Sequence, residues 1–316
     1  MLSRTADSLF WLSRYIERAD NTARIIDAAS RLTTLPISYA GTSNEWESAL
    51  AAAGALRAFY KHNEGADADR DAVIDFLAFS PDNPSSIKMC LDTARHNARA
   101  VRTALTMEMW EAINAAWLEL KRFDGTRMDW PTLNEFLSRV KEACLRFDGS
   151  AYRTMLRNDV YFFSRIGVYL ERADNTARIL DVKYHVLLPE GASIGGGLDY
   201  FQWSSILRSV SALTAYRWVY KESLKPWLIA DLLVLNEQMP RSLASCYENL
   251  SAFLDELSLA YGRQGPAQRA ARSVRTRLQN SRIADIFQKK GLHEFLTEFI
   301  HDNGKLGAAI ADQYLI

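Results

Sequence analysis

The chain is poor in the residues that staple or metallate small folds. Three cysteines, Cys90, Cys144 and Cys246, stand far apart among 316 residues, which excludes a disulfide framework and a CxxC-type zinc site. Five histidines (His62, His96, His185, His293, His301) are scattered without an HExxH or similar spacing, so they read as surface or satisfied core residues and no metal or cofactor is expected. Charge of one sign is also lacking. Lys plus Arg and Asp plus Glu are 38 each, and a chain with no excess of cations is not a general phosphate-neutralising nucleic-acid binder. The arginine-rich stretch Arg263 to Arg282 is the local exception, and a solvated helix face accounts for it. No run approaches the roughly 18 apolar residues of a spanning helix. Arg4, Asp7, Arg14, Glu17 and Arg18 interrupt the first twenty residues, excluding the apolar core of a signal peptide. The expected location is the cytoplasm, away from membranes. Alternating β-branched runs are missing as well, which argues against a sheet.

What is present is an internal repeat. Residues 15–27 read YIERADNTARIID and residues 169–181 read YLERADNTARILD, identical at eleven of 13 positions at an offset of 154. Trp46 and Trp203 each precede an Ala/Leu-rich segment at offset 157, and Pro84-Ser-Ser-Ile-x-x-Cys90 matches Pro240-Arg-Ser-Leu-x-x-Cys246 at offset 156. Three collinear matches imply one domain, 1–316, made of two copies at about 1–150 and 151–316. Past the two cysteines the register is lost. Ala98–Thr103 resembles Ala271–Thr276, but at offset 173, which implies either an insertion in the second copy or an accident.

Ala, Leu, Glu, Arg and Gln dominate the periodic segments, predicting an all-α bundle array of about 10–12 helices with internal pseudo-two-fold symmetry. Thr42-x-x-Glu45 reads as a capping box. Pro84, Pro131, Pro240 and Pro266 are expected in first helical turns. Breaks are expected near 33–42, 65–69, 80–83, 123–129, 147–150, 189–200 and 261–265. The glycine-rich stretch Gly191–Gly197 lacks the pattern of a phosphate cradle and reads as a flexible loop.

On a helical wheel Leu9, Leu12, Tyr15, Ile16, Ala19, Ala23 and Ile26 form a core face. Arg14, Glu17, Asn21 and Arg24 form a separate stripe bordered by Asp20. The second copy repeats it as Glu171, Asn175 and Arg178 bordered by Asp174, with Val168 where Arg14 would stand. A solvated face has little reason to keep such identities while the rest of its copy diverges. Three readings stand: a buried network joining the two copies, with Asn21 and Asn175 supplying amides and the carboxylates paired bidentately with guanidiniums; a cleft gripping a charged ligand or partner chain, for which Arg18 and Arg172 join the stripe residues as candidates; or a solvated, ion-paired face. Glu17 and Glu171 are the candidate acid/base pair should the chain be catalytic, with Arg24 and Arg178 as carboxylate clamps. Cys90 and Cys246, at matched positions, read as small buried thiols. No GxSxG elbow, kinase set or dinucleotide fingerprint occurs.

The opening LSRxADxLFWLSRYIERADNxAR, residues 2–24, resembles that of the bacterial alpha-E family. Asn97-Ala-Arg-Ala-Val-Arg-x-x-Leu-x-x-Glu-Met-Trp-Glu-Ala-Ile-Asn114 is similar to that family's second motif, and the second ERADNTAR, with Gly167 and Tyr169 ahead of it, to its third. Ser13 departs from the glycine expected there. The resemblance spans the whole chain. It implies an all-helical domain of unknown function, associated with a circularly permuted ATP-grasp ligase and a transglutaminase-like protein. That context implies an accessory or binding part in ATP-dependent peptide or amide-bond synthesis or modification, with a peptide as the possible ligand. The alternative is an enzyme acting on peptides or amino acids through Glu17 and Glu171. Arg102, Trp110 and Asn114 of the second motif join the candidate site residues, and Arg99 shares a helix face with Arg102.

Overall fold

In the computed structural model of the chain, residues 3–33, 45–185 and 197–315 are described. Fifteen α-helices occur among them, where about 10–12 were expected, and no strand. They are α1 (Ser3–Leu32), α2 (Glu45–Ala52), α3 (Leu56–His62), α4 (Arg70–Ala78), α5 (Ile87–Ala100), α6 (Met107–Leu120), α7 (Trp130–Thr154), α8 (Asp159–His185), α9 (Gly197–Ser209), α10 (Leu213–Tyr220), α11 (Pro226–Val234), α12 (Leu243–Tyr261), α13 (Pro266–Asn280), α14 (Ile283–Asp285) and α15 (Leu292–Ile310). The surplus comes from short helices such as α3, α10 and α14, whose few residues carry too little periodicity to register.

The two helices that carry ERADNTAR, α1 and α8, pack against each other at the centre. The elements around them match. α5 and α7 lie on α1, while α12 and α15 lie on α8. α2 reaches across to α8, and α9 reaches across to α1. Cys144 of α7 donates to the Ile16 carbonyl, and Asn303 of α15 donates to the Leu170 carbonyl, 154 positions further along. Of the core face expected for α1, Leu9, Leu12, Ile16, Ala19, Ala23 and Ile26 are buried, while Tyr15 is only half-buried at its edge. Ser13, Glu17, Asp20, Asn21 and Thr22 are buried too. A helix enclosed on its polar side must find partners for that side inside the protein.

α1 and α8 approach most tightly at Gly167. A Cβ there would stand 2.4 Å from the Phe10 carbonyl oxygen and 3.3 Å from the Ser13 Cβ. Beside it the Ser13 and Ser164 hydroxyls hydrogen-bond at 2.7 Å. A residue without a side chain lets the two backbones come together.

Matched capping fixes the flanking helices. Ser86 caps α5 by accepting from the Met89 N–H, and Ser242 caps α12 by accepting from the Ser245 N–H. Pro84 and Pro240 therefore stand two residues ahead of the caps rather than in the first turn. Pro131 and Pro266 do occupy first turns. The break expected at 147–150 is absent, because α7 continues through Gly149 to Thr154. Residues 155–158 join α7 to α8. Gly149 meets nothing within 4 Å of a would-be Cβ, so it costs helix propensity without marking an end. Thr42 and residues 191–196 lie outside the described residues. Ala98–Thr103 spans the end of α5, whereas Ala271–Thr276 lies inside α13, so that likeness joins unequal places in the fold.

Candidate functional site

α1 and α8 carry eleven of the expected residues: seven of them join two ion-paired clusters, Asp174 and Arg178 pair with each other, and Asn21 and Asn175 lie buried on the same helices. Arg172 grips Glu17 bidentately, Nε donating to Oε1 at 2.9 Å and Nη2 to Oε2 at 2.8 Å. Arg18 grips Glu171 in the same fashion, Nε to Oε1 at 2.6 Å and Nη2 to Oε2 at 3.1 Å. Each Glu-Arg pair of the sequence is thus split, its glutamate taking the arginine of the other helix. Fork-to-carboxylate geometry of this kind is the strong form of the ion pair. Each arginine also lies over the tyrosine three residues before it: Arg18 over Tyr15 at 5.4 Å and Arg172 over Tyr169 at 5.5 Å.

A second guanidinium completes each carboxylate, from a different source in each case. Glu17 Oε1 accepts from Arg241 Nη1 at 2.9 Å, and Arg241 Nη2 continues to Asp20 Oδ2 at 2.8 Å. Glu171 Oε2 accepts from Arg14 Nε at 2.7 Å. Arg241 was not among the expected residues. Its signal was the one substitution within the matched Pro-x-Ser motif, where Ser85 stands in the first half. There Arg18 Nη1 donates to the Ser85 hydroxyl at 3.3 Å.

The remaining ERADNTAR residues pair within their own helix. Arg24 donates to Asp20 at 2.7 Å and Arg178 to Asp174 at 2.6 Å. Arg24 also reaches the Ser211 hydroxyl at 2.8 Å, while Arg178 abuts Gly54, which stands 157 positions before Ser211. Asn21 and Asn175 are buried. Among the described residues Asn175 Nδ2 and Asp20 Oδ1 find no hydrogen-bond partner.

The electrostatics follow from enclosure and pairing. Burial alone would push the Glu17 carboxyl up. The guanidiniums of Arg172 and Arg241 outweigh it and hold the group at about 2. Glu171 shifts the same way, burial again opposed and outweighed by Arg14 and Arg18. Burial pushes the Cys90 and Cys246 thiols up to about 12, although Arg18 and Arg172 pull the other way. These thiols stay protonated near neutral pH and are not poised as nucleophiles. Among the described residues, no group of three or more His, Cys, Asp or Glu is placed to hold a metal, and no helix is long and apolar enough to cross a membrane.

Arg102, Trp110 and Asn114 stand apart, Arg102 in the turn after α5 and the other two on α6; α5 ends at Ala100, so the helix face expected to join Arg99 to Arg102 stops short of Arg102. Arg102 covers the Trp110 ring at 5.3 Å, and Asn114 accepts from Arg95 at 3.0 Å. None of the three bonds to the α1–α8 network among the described residues. In the Arg263–Arg282 stretch, Arg272, Arg275 and Arg277 are ion-paired to Asp255, Glu248 and Asp302, a neutralised helix face.

A doubled Glu-Arg pair on the central helices decides the family. The model of Alpha-E, described as a predicted alpha-helical domain with a conserved ER motif, matches residues 1–315. This chain belongs to the Alpha-E family. The Alpha-E chain is also similar to an uncharacterized protein of Mycobacterium bovis and to one of Mycobacterium tuberculosis, each 25% identical over 94% of this chain. It spans 35% of the length of those curated relatives. No solved structure matches it. In Alpha-E terms, the ER motif of this chain is an exchange of partners between two helices.

Proposed function

We propose that this Alpha-E chain is a binding or accessory component of an ATP-grasp-linked system for peptide or amide-bond synthesis or modification. Its two halves arose by duplication of one helical unit and are clasped together by the exchanged Glu-Arg pairs. The observation that carries this reading is the state of the two glutamates. A general acid or base needs a proton affinity near the working pH and an unoccupied face toward substrate. Glu17 is enclosed, accepts from two guanidiniums and is held at about 2. Glu171 is enclosed and doubly paired likewise. The charges are committed to holding α1 and α8 together, which leaves the outer helices for a partner. Membership of longer polypeptides, as in the mycobacterial relatives, suits a module that works beside other domains. The duplication is supported by the eleven matched residues and by the matched packing of α5 and α12, α7 and α15, α2 and α9. The proposed partners are a circularly permuted ATP-grasp ligase and a transglutaminase-like protein, with a peptide as shared ligand. The proposed setting is the cytoplasm, where such a ligase finds ATP.

The test is co-purification followed by calorimetry with a circularly permuted ATP-grasp ligase. A complex at tens of micromolar or tighter is expected, and Glu17→Gln should weaken it only as far as it destabilises the fold. Peptide turnover by the purified chain alone, abolished in Glu17→Gln at unchanged melting temperature, would establish the enzyme reading instead.

A further inference from the structure

We propose that the α5–α6 face docks an acidic segment of a partner protein, through an arginine strip that aromatic rings hold in place. The proposal names a surface for the binding role above and rests on that reading. Arg95 and Arg99 follow at i and i+4 on one side of α5, and Arg102 stands in the turn just past its end. Trp110, Asn114 and Trp117 follow at i, i+4 and i+7 on α6, which packs against α5. The two rows interlock. Arg102 lies 5.3 Å from the Trp110 ring centre and Arg95 lies 4.1 Å from that of Trp117, while Arg95 Nε donates to Asn114. Lys121 lies 3.8 Å from the Trp117 ring centre.

None of the three arginines makes an ion pair with an acid among the described residues. Asp92 on the same helix is engaged by the Trp117 indole N–H. Arg99 and Arg102 are exposed. This is the reverse of α13, where Arg272, Arg275 and Arg277 each have a carboxylate from a neighbouring helix. A neutral protein that satisfies one arginine row internally and leaves another without acids presents a complement for carboxylates there. Cation–π seating fixes the Arg95 and Arg102 side chains in advance, so less freedom is lost when a carboxylate takes their free N–H groups. Nucleic acid fits less well. Base stacking needs open ring faces, and here the cations of Arg95, Arg102 and Lys121 lie against the rings. Arg95 and Arg99, four residues apart on α5, are separated by about 6 Å along the helix, which matches acids one turn apart on a partner helix.

Fluorescence anisotropy tests this with the full chain, a labelled peptide of about ten glutamates, the matching glutamine peptide and a labelled oligo-dT strand of about 12 nucleotides. The glutamate peptide should bind, perturb tryptophan emission and weaken with salt, as exposed ion pairs do. Arg99→Glu with Arg102→Glu should lower its affinity at least tenfold without moving the melting temperature. Arg99→Gln, at an exposed residue without an ion pair, should lower it severalfold and covers the case in which the double reversal disturbs folding. No binding up to millimolar peptide, equal binding by Arg99→Gln, or tighter binding of the oligonucleotide would overturn the proposal. The ligase is absent from this experiment, so its outcome is separate from that of the co-purification.

Discussion

Glu17 is held by Arg172 from α8 and Arg241 from the turn before α12, whereas Glu171 is held by Arg18 and Arg14, both from α1. The first exchange is common to both, and only the second guanidinium differs. Glu17's partners are the more enclosed, with side chains 11% and 13% exposed against 23% and 18% for Arg18 and Arg14. Arg241 also bridges to Asp20, so Glu17 belongs to a larger cluster that draws on two helices and the turn before α12. Glu171 belongs to a smaller one that two helices supply. The motif therefore fixes the exchange, and the surroundings decide how much rests on it.

Breaking the first exchange should separate the two clusters most widely. Removing one partner of a buried pair costs about 3–5 kcal/mol. Arg172→Gln should fall in that range by urea unfolding, and Arg18→Gln should cost less because water partly screens its site. Equal losses would mean that the difference in enclosure has no energetic weight.

The acid limb of stability sharpens the same comparison. Glu17 is held at about 2 in the fold and titrates near 4.5 when unfolded, so its folded form holds the proton more weakly. Its charge then contributes about 3 kcal/mol above the unfolded value. That contribution is lost as pH falls from about 4.5 toward 2. The stability gap between the parent and Glu17→Gln should be widest near neutrality and shrink across that window. A gap that stays constant with pH would assign the effect of the substitution to packing rather than charge.

Gly167 and Ser13 occupy the same place on α8 and α1, and the crossing treats them differently. Gly167→Ala drives a methyl into the Phe10 carbonyl and should cost about 1–3 kcal/mol as the helices part. Ser13→Ala loses one buried hydroxyl contact with Ser164, an effect of about 1 kcal/mol. Calorimetric melting should rank them in that order.

The pairing pattern was only half legible in the sequence. The repeat, the helical class and the core arc of α1 follow from periodicity and self-similarity, and those features lie within single helices. The stripe through Glu17, Asn21 and Arg24 groups residues by their own helix, while Arg18 and Arg172 lie about 100° round the wheel from the glutamates that precede them. Their side chains reach across the α1–α8 crossing, and a crossing is a property of two helices. Arg241 was hidden because its importance shows only where the turn before α12 meets α1. Short helices escaped because a single turn carries no period. Gly149 misled because glycine marks helix ends more often than it sits inside them.

The central claim, that each Glu-Arg motif exchanges its partner, is most directly tested by two double-mutant cycles in urea unfolding, one on Glu17 with Arg172 and one on Glu17 with Arg18. Residues sharing a network couple by about 0.5–3 kcal/mol and independent ones add within about 0.5 kcal/mol. The exchange predicts coupling toward the upper end for Glu17 with Arg172, and near-additivity for Glu17 with Arg18, its neighbour in sequence. Strong coupling of Glu17 to Arg18 and none to Arg172 would contradict it.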